Sequence, residues 1–315
     1  MMEAFFSTTR LDFDFTHHTS RSQSQSQSQS HPFMLLSGPP SCGKTSLLFQ
    51  FAFNAALEAE DDRQVVFICN RSRIEIAPPF LSQGILPSSD TFKRIQMKYV
   101  EDDEGIKKYF AAFHLHDTFP IAVVIDDFGD FFDERKCQES YGNPRGRDLA
   151  MVRILALCHN AVMSANDKGN CKLLISDTHH GDSPRLLFLY KRWVPSIFTI
   201  KGDGNGSFLL RSNNNVGSDN SEKMKIAKYS LVHQCLFLEG ITENEEIDNN
   251  VVVYFQHAVL LDYVTSSSNF CKTCVNVNLV RKSESHTSAV AWLWLVKMLR
   301  VVSTSGGFAN NLNFK

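Results

Sequence analysis

A glycine-rich segment near the start of the chain restricts its possible folds more than any other feature. An apolar run, Phe33–Ser37, precedes the segment, and a helix-like stretch, Thr45–Ala59, follows it. In a strand–turn–helix unit of this kind, glycines let the backbone curl so that successive N–H groups point into one cavity, and the helix start adds partial positive charge. The pattern predicts a phosphate-binding loop. The segment reads Gly38-Pro39-Pro40-Ser41-Cys42-Gly43-Lys44-Thr45 and matches G-x-x-x-x-G-K-[ST] in full.

The residue types in this loop indicate ATP and Mg²⁺ as its ligands. Lys44 would bring a full positive charge to the outer phosphates, and the Thr45 hydroxyl would become a magnesium ligand. We therefore assign a catalytic role to Lys44 and a metal-binding role to Thr45. The predicted nucleotide-binding residues are Gly38, Pro39, Pro40, Ser41, Cys42, Gly43, Lys44, Thr45 and Ser46.

A second motif supplies the carboxylate that a magnesium site requires. Ala122-Val123-Val124-Ile125-Asp126-Asp127 gives four apolar residues followed by two acids, as a Walker B strand does. Open α/β sheets bind ligands at the carboxyl edge of their strands. We expect Asp126 to reach Mg²⁺ through water and assign it a catalytic role, with Asp127 as the second candidate ligand.

The middle of the chain predicts an α/β fold, with a mostly parallel sheet covered by helices. The separation between Lys44 and Asp126 leaves room for an extra strand–helix–strand excursion, which favours the additional-strand ATPases over small kinases and GTPases. Predicted helices are Thr45–Ala59, Glu104–His116 and Arg147–Ala165. Predicted strands are Phe33–Ser37, Val65–Cys69, Ile121–Asp126, Lys172–Ser176 and an antiparallel closing hairpin of Ser196–Ile200 and Ser207–Arg211.

The sequence divides into three zones of different composition. Residues 1–30 end in a Ser-Gln repeat and are expected to be a disordered, low-complexity N-terminus. Residues 31–211 hold the predicted core. Residues 212–315 begin with Asn213-Asn214-Asn215 and form a poorly defined C-terminal tail whose folding the sequence does not decide.

Composition narrows the possible partners and compartments. The 32 basic and 34 acidic residues give a formal charge of −2, whereas a domain that binds nucleic acid tightly by itself is usually more basic. DNA binding would therefore need a local patch or a partner. Eight scattered cysteines suit reduced thiols in a nuclear or cytosolic protein. The apolar run Ala289–Val302 is too short and too charged to span a bilayer, so we expect no membrane partner.

The order of P-loop, second strand, Walker B strand, long helix and fourth strand resembles the ATPase core of RecA-type recombinases and their paralogues. The similarity is greatest to the ATPases that partner SWIM-type zinc-finger proteins in homologous recombination, and it spans residues 33–211. The resemblance implies a RecA-like core that acts in nuclear DNA repair with such a zinc-finger protein, or another recombinase paralogue, and with single-stranded DNA. Besides the P-loop, it depends on Gly43–Phe49, Ala55–Ala59, Arg94–Tyr99 and Lys191–Pro195.

One departure from this resemblance predicts slow catalysis. In active recombinases the second strand ends with a glutamate that polarises the attacking water, but here Phe67–Ser72 contains no acid, and the first is Glu75. Glu75 would be the catalytic residue only if its loop folds back. Loss of a water-orienting carboxylate leaves binding intact and reduces turnover, so we expect a weak ATP hydrolase. Asp177 or Thr178 would sense the terminal phosphate.

The resemblance also implies a DNA path along the loop after the third strand. That stretch is basic, carries one tyrosine for stacking and is predicted to be a flexible loop, a composition that suits single-stranded DNA. Two other functions stay open: a nucleotide-gated interaction module without turnover, and a P-loop small-molecule kinase, which would be expected to carry an arginine-rich lid. The predicted DNA contacts are Arg135, Lys136, Arg145 and Arg147.

Overall fold

Short apolar runs separated by helical stretches produce one sheet that is covered by helices on both faces. The computed structural model describes residues 2–6, 31–59, 63–86, 88–179, 187–214 and 225–242. Within these ranges, ten strands form a single sheet. The helices are α1 (Lys44–Glu58), α2 (Arg71–Ile76), α3 (Asp103–Ala111), α4 (Glu134–Tyr141), α5 (Gly146–Asn166) and α6 (Leu187–Tyr190). The strands are β1 (Phe33–Gly38), β2 (Val65–Cys69), β3 (Leu81–Ser82), β4 (Ile95–Tyr99), β5 (Ala122–Ile125), β6 (Lys172–Thr178), β7 (Ser196–Gly202), β8 (Ser207–Asn214), β9 (Ile226–Val232) and β10 (Cys235–Thr242).

The sheet is mixed and mostly parallel, which confirms the predicted α/β class. Its strand order is β3-β10-β9-β8-β7-β1-β6-β5-β2-β4. All pairings from β7 through β1, β6, β5 and β2 to β4 are parallel. Strands β7, β8, β9 and β10 pair antiparallel with one another in sequence.

One strand, β6, lies between the P-loop strand β1 and the Walker B strand β5. Gly38 at the end of β1 pairs with Thr178 in β6, and Ile125 at the end of β5 pairs with Ile175 in β6 and with Ile68 in β2. The carboxyl ends of these strands therefore meet at one edge of the sheet. Residues that follow them are brought together there.

Each central strand sends alternate side chains to opposite faces, and two apolar clusters result. In β1, Met34 and Leu36 join the cluster that contains α1, while Phe33 and Leu35 join the cluster that contains α3 and α5. Strands buried on both faces read as continuous apolar runs, which is why these were easy to locate in the sequence. Among the described helices, α5 alone is long and apolar enough to cross a membrane, a test that core helices of soluble proteins also pass.

The N-terminal prediction needs correction for residues 2–6. This segment forms a turn of 3₁₀ helix, and Met2, Phe5 and Phe6 are buried against α1 and the sheet. Asn54 of α1 donates hydrogen bonds to the carbonyl oxygens of Ala4 at 3.0 Å and of Phe6 at 2.7 Å. The large apolar surface of three side chains favours burial of this segment. The Ser-Gln repeat lies outside the described residues.

The sheet also continues past residue 211, where we placed the end of the core. Strand β8 runs to Asn214, and β9 and β10 extend the sheet from β8. The structure therefore shows that residues 226–242, whose folding the sequence left undecided, belong to the sheet, and their alternating apolar residues pack on its α1 face. Residues 243–315 lie outside the described part of the chain.

Candidate nucleotide-binding site

The P-loop adopts a tight turn that requires its glycines. Ser41 and Gly43 have positive φ angles of 60° and 82°, a region that glycine enters without steric cost. A Cβ on Gly43 would lie 2.6 Å from Leu231 Cδ1, and one on Gly38 would lie 2.7 Å from Cys42 Sγ. A larger side chain at either position would therefore clash with these neighbours.

Lys44 is held at the site rather than in solvent. Its side chain is 6% exposed, and its Nζ donates a hydrogen bond of 3.1 Å to the Pro39 carbonyl oxygen. The same Nζ lies 3.9 Å from Asp127 Oδ1. A buried ammonium with so few partners has donors left for phosphate oxygens.

Thr45 and Asp126, two of the three predicted magnesium residues, are in direct contact. The Thr45 hydroxyl donates a 2.9 Å hydrogen bond to Asp126 Oδ2, and the Ser176 hydroxyl donates a 3.0 Å bond to Asp126 Oδ1. Burial and the charge of Asp127 raise the pKa of Asp126 to about 6, although the two hydroxyls and Lys44 oppose the rise. A cation placed here would favour the ionised carboxylate.

The donor set fits Mg²⁺ only when the nucleotide contributes ligands. No group of three or more His, Cys, Asp or Glu side chains that could hold a metal occurs in the described ranges. Thr45 and Asp126 offer oxygen atoms, which Mg²⁺ prefers, and Mg²⁺ in nucleotide sites usually keeps waters and binds substrate phosphates. These two residues would hold Mg²⁺, which would neutralise charge on the phosphates.

Asp127 is a centre of polar contacts at the same edge. It has a φ of 48°, in the left-handed region, and its N–H donates a 2.8 Å hydrogen bond to the Ser176 hydroxyl. Its Oδ1 accepts a 2.6 Å bond from the Thr178 hydroxyl, and its Oδ2 accepts a 3.2 Å bond from Arg73 Nη1. Asp127 therefore links β5, β6 and α2.

Arg73 is a site residue that the sequence reading missed. It forms ion pairs with Asp127 and with Asp130, and it lines a small cavity at the carboxyl edge of the sheet. The first turn after β2 brings it there, because Asn70 caps α2 by accepting hydrogen bonds from the N–H and the hydroxyl of Ser72. The other cavity residues are Asn70, Asp126, Asp127, Asp130 and Phe131.

Glu75 is not brought to this cavity. It pairs with Arg71 at 3.0 Å on the exposed surface of α2, and the Arg71 guanidinium lies over the ring of Tyr99. Successive helical residues are rotated by about 100°, so Glu75 lies about 200° around α2 from Arg73. Because Arg73 faces the cavity, Glu75 faces away from it.

Asp177 lies below the site in buried surroundings. It is 3% exposed, and burial together with the charge of Asp127 raises the pKa of Asp177 to about 7. Tyr190 and Arg147 oppose this rise. Next to it, His179 Nδ1 lies 2.8 Å from the Ser37 hydroxyl, and the His179 N–H donates to the Gly38 carbonyl oxygen. These contacts join the end of β6 to the first residues of the P-loop.

The P-loop is also supported by β9, which the sequence reading placed in the tail. The buried Tyr229 hydroxyl donates a 2.7 Å hydrogen bond to the Cys42 carbonyl oxygen. Leu231 packs against Gly43 from the same strand. No local motif identifies these residues, because their contact with the P-loop depends on the pairing of β9 with β8 in the sheet.

The four predicted DNA-contact residues fall in two different environments. The segment is mostly helix rather than the flexible loop expected, since α4 covers Glu134–Tyr141 and α5 begins at Gly146. Arg135, Lys136 and Arg145 are exposed. Arg147 instead turns inward, donating a 2.6 Å hydrogen bond from Nη2 to the Gly129 carbonyl oxygen.

Comparison with known proteins adds no assignment: no family model and no curated protein matches this chain.

Proposed function

We propose that this chain is an ATP-binding protein of the RecA type that hydrolyses ATP slowly, and that it acts in homologous-recombination DNA repair with a partner protein and single-stranded DNA. The hydrogen bond between Thr45 and Asp126 carries the nucleotide part of this proposal. It joins the P-loop to the Walker B strand across 81 residues of sequence. Two independently recognised motifs thus meet in the arrangement that a Mg²⁺-nucleotide site needs.

The strand order supports the additional-strand ATPases over the small kinases and GTPases. Strands β2, β3 and β4 fill the sequence between the two nucleotide motifs, and β6 separates the P-loop strand β1 from the Walker B strand β5 in the sheet. An α/β fold does not by itself define a function. The RecA-type assignment therefore combines this order with the sequence segments that resemble recombinase paralogues.

Slow turnover follows from the side chains that surround the cavity. Efficient hydrolysis needs a group that orients or deprotonates water next to the terminal phosphate. At the end of β2 the cavity is lined by Asn70 and Arg73 rather than by a carboxylate, and Glu75 faces away. Asp127 is near the site but is already engaged with Lys44, Arg73 and Thr178.

Single-stranded DNA would contact the exposed basic side chains of α4 and of the turn before α5. Arg135 and Lys136 lie on α4 and Arg145 lies in the turn, whereas the half-buried ring of Tyr141 at the end of α4 is stacked by the Arg153 guanidinium at 5.1 Å. Arg135 is also paired with Glu139 at 3.1 Å. With a net charge of −2, the chain would need a partner to hold DNA firmly, and we propose a SWIM-type zinc-finger protein or a recombinase paralogue in the nucleus.

Titration and turnover measurements separate this proposal from the alternatives. The full chain should bind ATP in a Mg²⁺-dependent manner and release phosphate slowly, with an increase when single-stranded DNA and the partner are present. Binding without any phosphate release under all of these conditions would indicate a nucleotide-gated interaction module. Transfer of phosphate to a small acceptor would identify a kinase. Absence of nucleotide binding would refute the proposal.

A further inference from the structure

Three polar groups from three separate elements converge on the carboxylate of Asp127, two through hydrogen bonds and one through an ion pair. Lys44 Nζ comes from the P-loop, Thr178 Oγ1 from β6 and Arg73 Nη1 from α2, at 3.9, 2.6 and 3.2 Å. Ammonium, hydroxyl and guanidinium groups are also the donors that proteins use to hold phosphate oxygens. A terminal phosphate group could therefore replace the Asp127 carboxylate as the partner of these three groups.

Of these three groups, Arg73 has a role that no motif assigns. Lys44 belongs to the P-loop pattern, and Thr178 is, with Asp177 as the alternative, the predicted sensor of the terminal phosphate. Arg73 lines the same cavity as Asp126 and Asp127. Its guanidinium is planar, permanently charged and able to bind phosphate through two parallel hydrogen bonds.

We propose that Arg73 binds the terminal phosphate of a nucleoside triphosphate, and that it thereby makes the chain prefer triphosphates to diphosphates. The inference depends on the proposed function, because it assumes that the P-loop holds the inner phosphates. Asp127 and Asp130 act as counter-charges that keep Arg73 beside the cavity. A diphosphate bound at the P-loop would leave the terminal position empty, and Arg73 would keep only its ion pairs with Asp127 and Asp130.

The position of Arg73 allows the small movement that this role requires. Its side chain is 48% exposed, so a rearrangement of its guanidinium does not disturb the core. The start of α2 is fixed by the Asn70 cap, which limits the possible positions of the side chain. Arg71, two residues earlier, is paired with Glu75 and lies over Tyr99, which makes it a matched control.

The test compares a non-hydrolysable ATP analogue with ADP, each with Mg²⁺, by calorimetric titration of the full chain. Wild type should bind the analogue more tightly than ADP. Arg73→Ala should weaken analogue binding about tenfold to a hundredfold, the value of a charge-assisted hydrogen bond, while ADP affinity stays within about twofold. Arg73→Lys should recover part of the loss, and Arg71→Ala should behave like wild type.

The outcomes distinguish this inference from the function on which it depends. If wild type binds neither nucleotide, the proposed function and this inference both fail. If wild type binds both but Arg73→Ala weakens both equally or neither, only the inference is overturned. Thermal unfolding of each variant shows whether lost binding comes from lost structure, and Arg73→Lys keeps the test valid if Arg73→Ala does not fold.

Discussion

The Tyr229 hydroxyl donates a buried 2.7 Å hydrogen bond to the carbonyl oxygen of Cys42, in the middle of the P-loop. Strand β9 thus fixes the shape of a loop that lies far earlier in the sequence. Tyr229→Phe should lower the free energy of unfolding by about 1 kcal/mol, since it leaves a buried carbonyl without its partner, and should weaken ATP binding severalfold. Urea denaturation and nucleotide titration measure the two effects.

Tyr109→Phe is the control for this variant. Tyr109 is also buried, and its hydroxyl has no hydrogen-bond partner among the described residues. Removing that hydroxyl should leave stability unchanged or raise it, because an unsatisfied buried polar group is costly. Equal losses in both variants would indicate that packing, rather than the bond to Cys42, explains the result.

The P-loop assignment predicts a strict order among three variants. Lys44→Ala should abolish measurable ATP binding, because the outer phosphates lose the one lysine of the loop motif. Asp126→Asn should weaken Mg²⁺-dependent binding more than Asp127→Asn, because Asp126 contacts Thr45. Titrations with and without Mg²⁺ provide the comparison. Undiminished affinity in Lys44→Ala would refute the P-loop, and the reverse order of the aspartates would move the metal ligand by one residue.

Hydrolysis should be slow and independent of Glu75. Steady-state turnover of wild type should fall well below about 10 per second, the enzyme median. Glu75→Gln should change this rate little, because Glu75 pairs with Arg71 on the outer side of α2. Phosphate release under saturating ATP tests this. A large loss of rate in the variant would show that α2 rearranges and that Glu75 acts as the base.

Asp177 should make stability depend on pH. The pKa of its carboxyl is about 7 in the folded state, above the ordinary value of 3.8. The folded state therefore binds this proton more tightly than the unfolded state does. The contribution of Asp177 to the free energy of unfolding falls as the pH rises from about 4 to 7 and is constant above pH 7. Asp177→Asn should be more stable than wild type by up to about 4 kcal/mol at pH 8, with a smaller difference at pH 5.

Denaturant unfolding at several pH values checks this expectation. If the gain in Asp177→Asn is the same at pH 5 and pH 8, ionisation of Asp177 is not its source.

The exposed Arg135 and Arg145 should contribute to DNA binding, whereas Arg147 should contribute to stability. The double variant Arg135→Ala, Arg145→Ala should weaken binding of every single-stranded sequence alike in the partner complex. It should flatten the log–log salt dependence by about one to one and a half units, since each contact contributes about −0.7. Filter binding at several salt concentrations measures the slope. If the double variant keeps the affinity and the salt slope of wild type, this surface does not contact DNA.

Arg147→Ala should instead lower stability by about 2 kcal/mol, the typical loss for a charged hydrogen bond. Its guanidinium donates a hydrogen bond to the Gly129 carbonyl oxygen, and its positive charge lowers the pKa of Asp177. Arg145→Ala should leave the unfolding midpoint unchanged, since Arg145 is exposed.

The sequence predicted the strands and site residues whose pattern lies within one short stretch of the chain. Continuous apolar runs located β1, β2, β5 and β6, because strands buried on both faces need them. The motif patterns located Lys44, Thr45 and Asp126, which the structure brings into one site. Strand β4 was missed, because Ile95–Tyr99 mixes buried and exposed residues.

Contacts between distant elements could not be predicted in this way. Arg73 reaches the cavity because Asn70 starts a short helix directly after β2, and nothing in the residue type distinguishes it from Arg71. Arg145 and Arg147 read alike in a basic stretch, yet the start of α5 turns one outward and the other inward. The support from Tyr229 depends on the antiparallel β7–β10 region, whose last two strands have no motif.

The neighbours of β1 also determine when this site can form during synthesis. Met34 in β1 pairs with Leu174 and with Ser196, both far downstream. Such long-range parallel pairing is slow to form, and a chain emerges from the ribosome from its N-terminus at about 5–20 residues per second. The P-loop therefore leaves the ribosome first but gains its supporting strands only after β6 and β7 have been made. Fragments that end before β6 should not hold a nucleotide, even though they contain the whole P-loop motif.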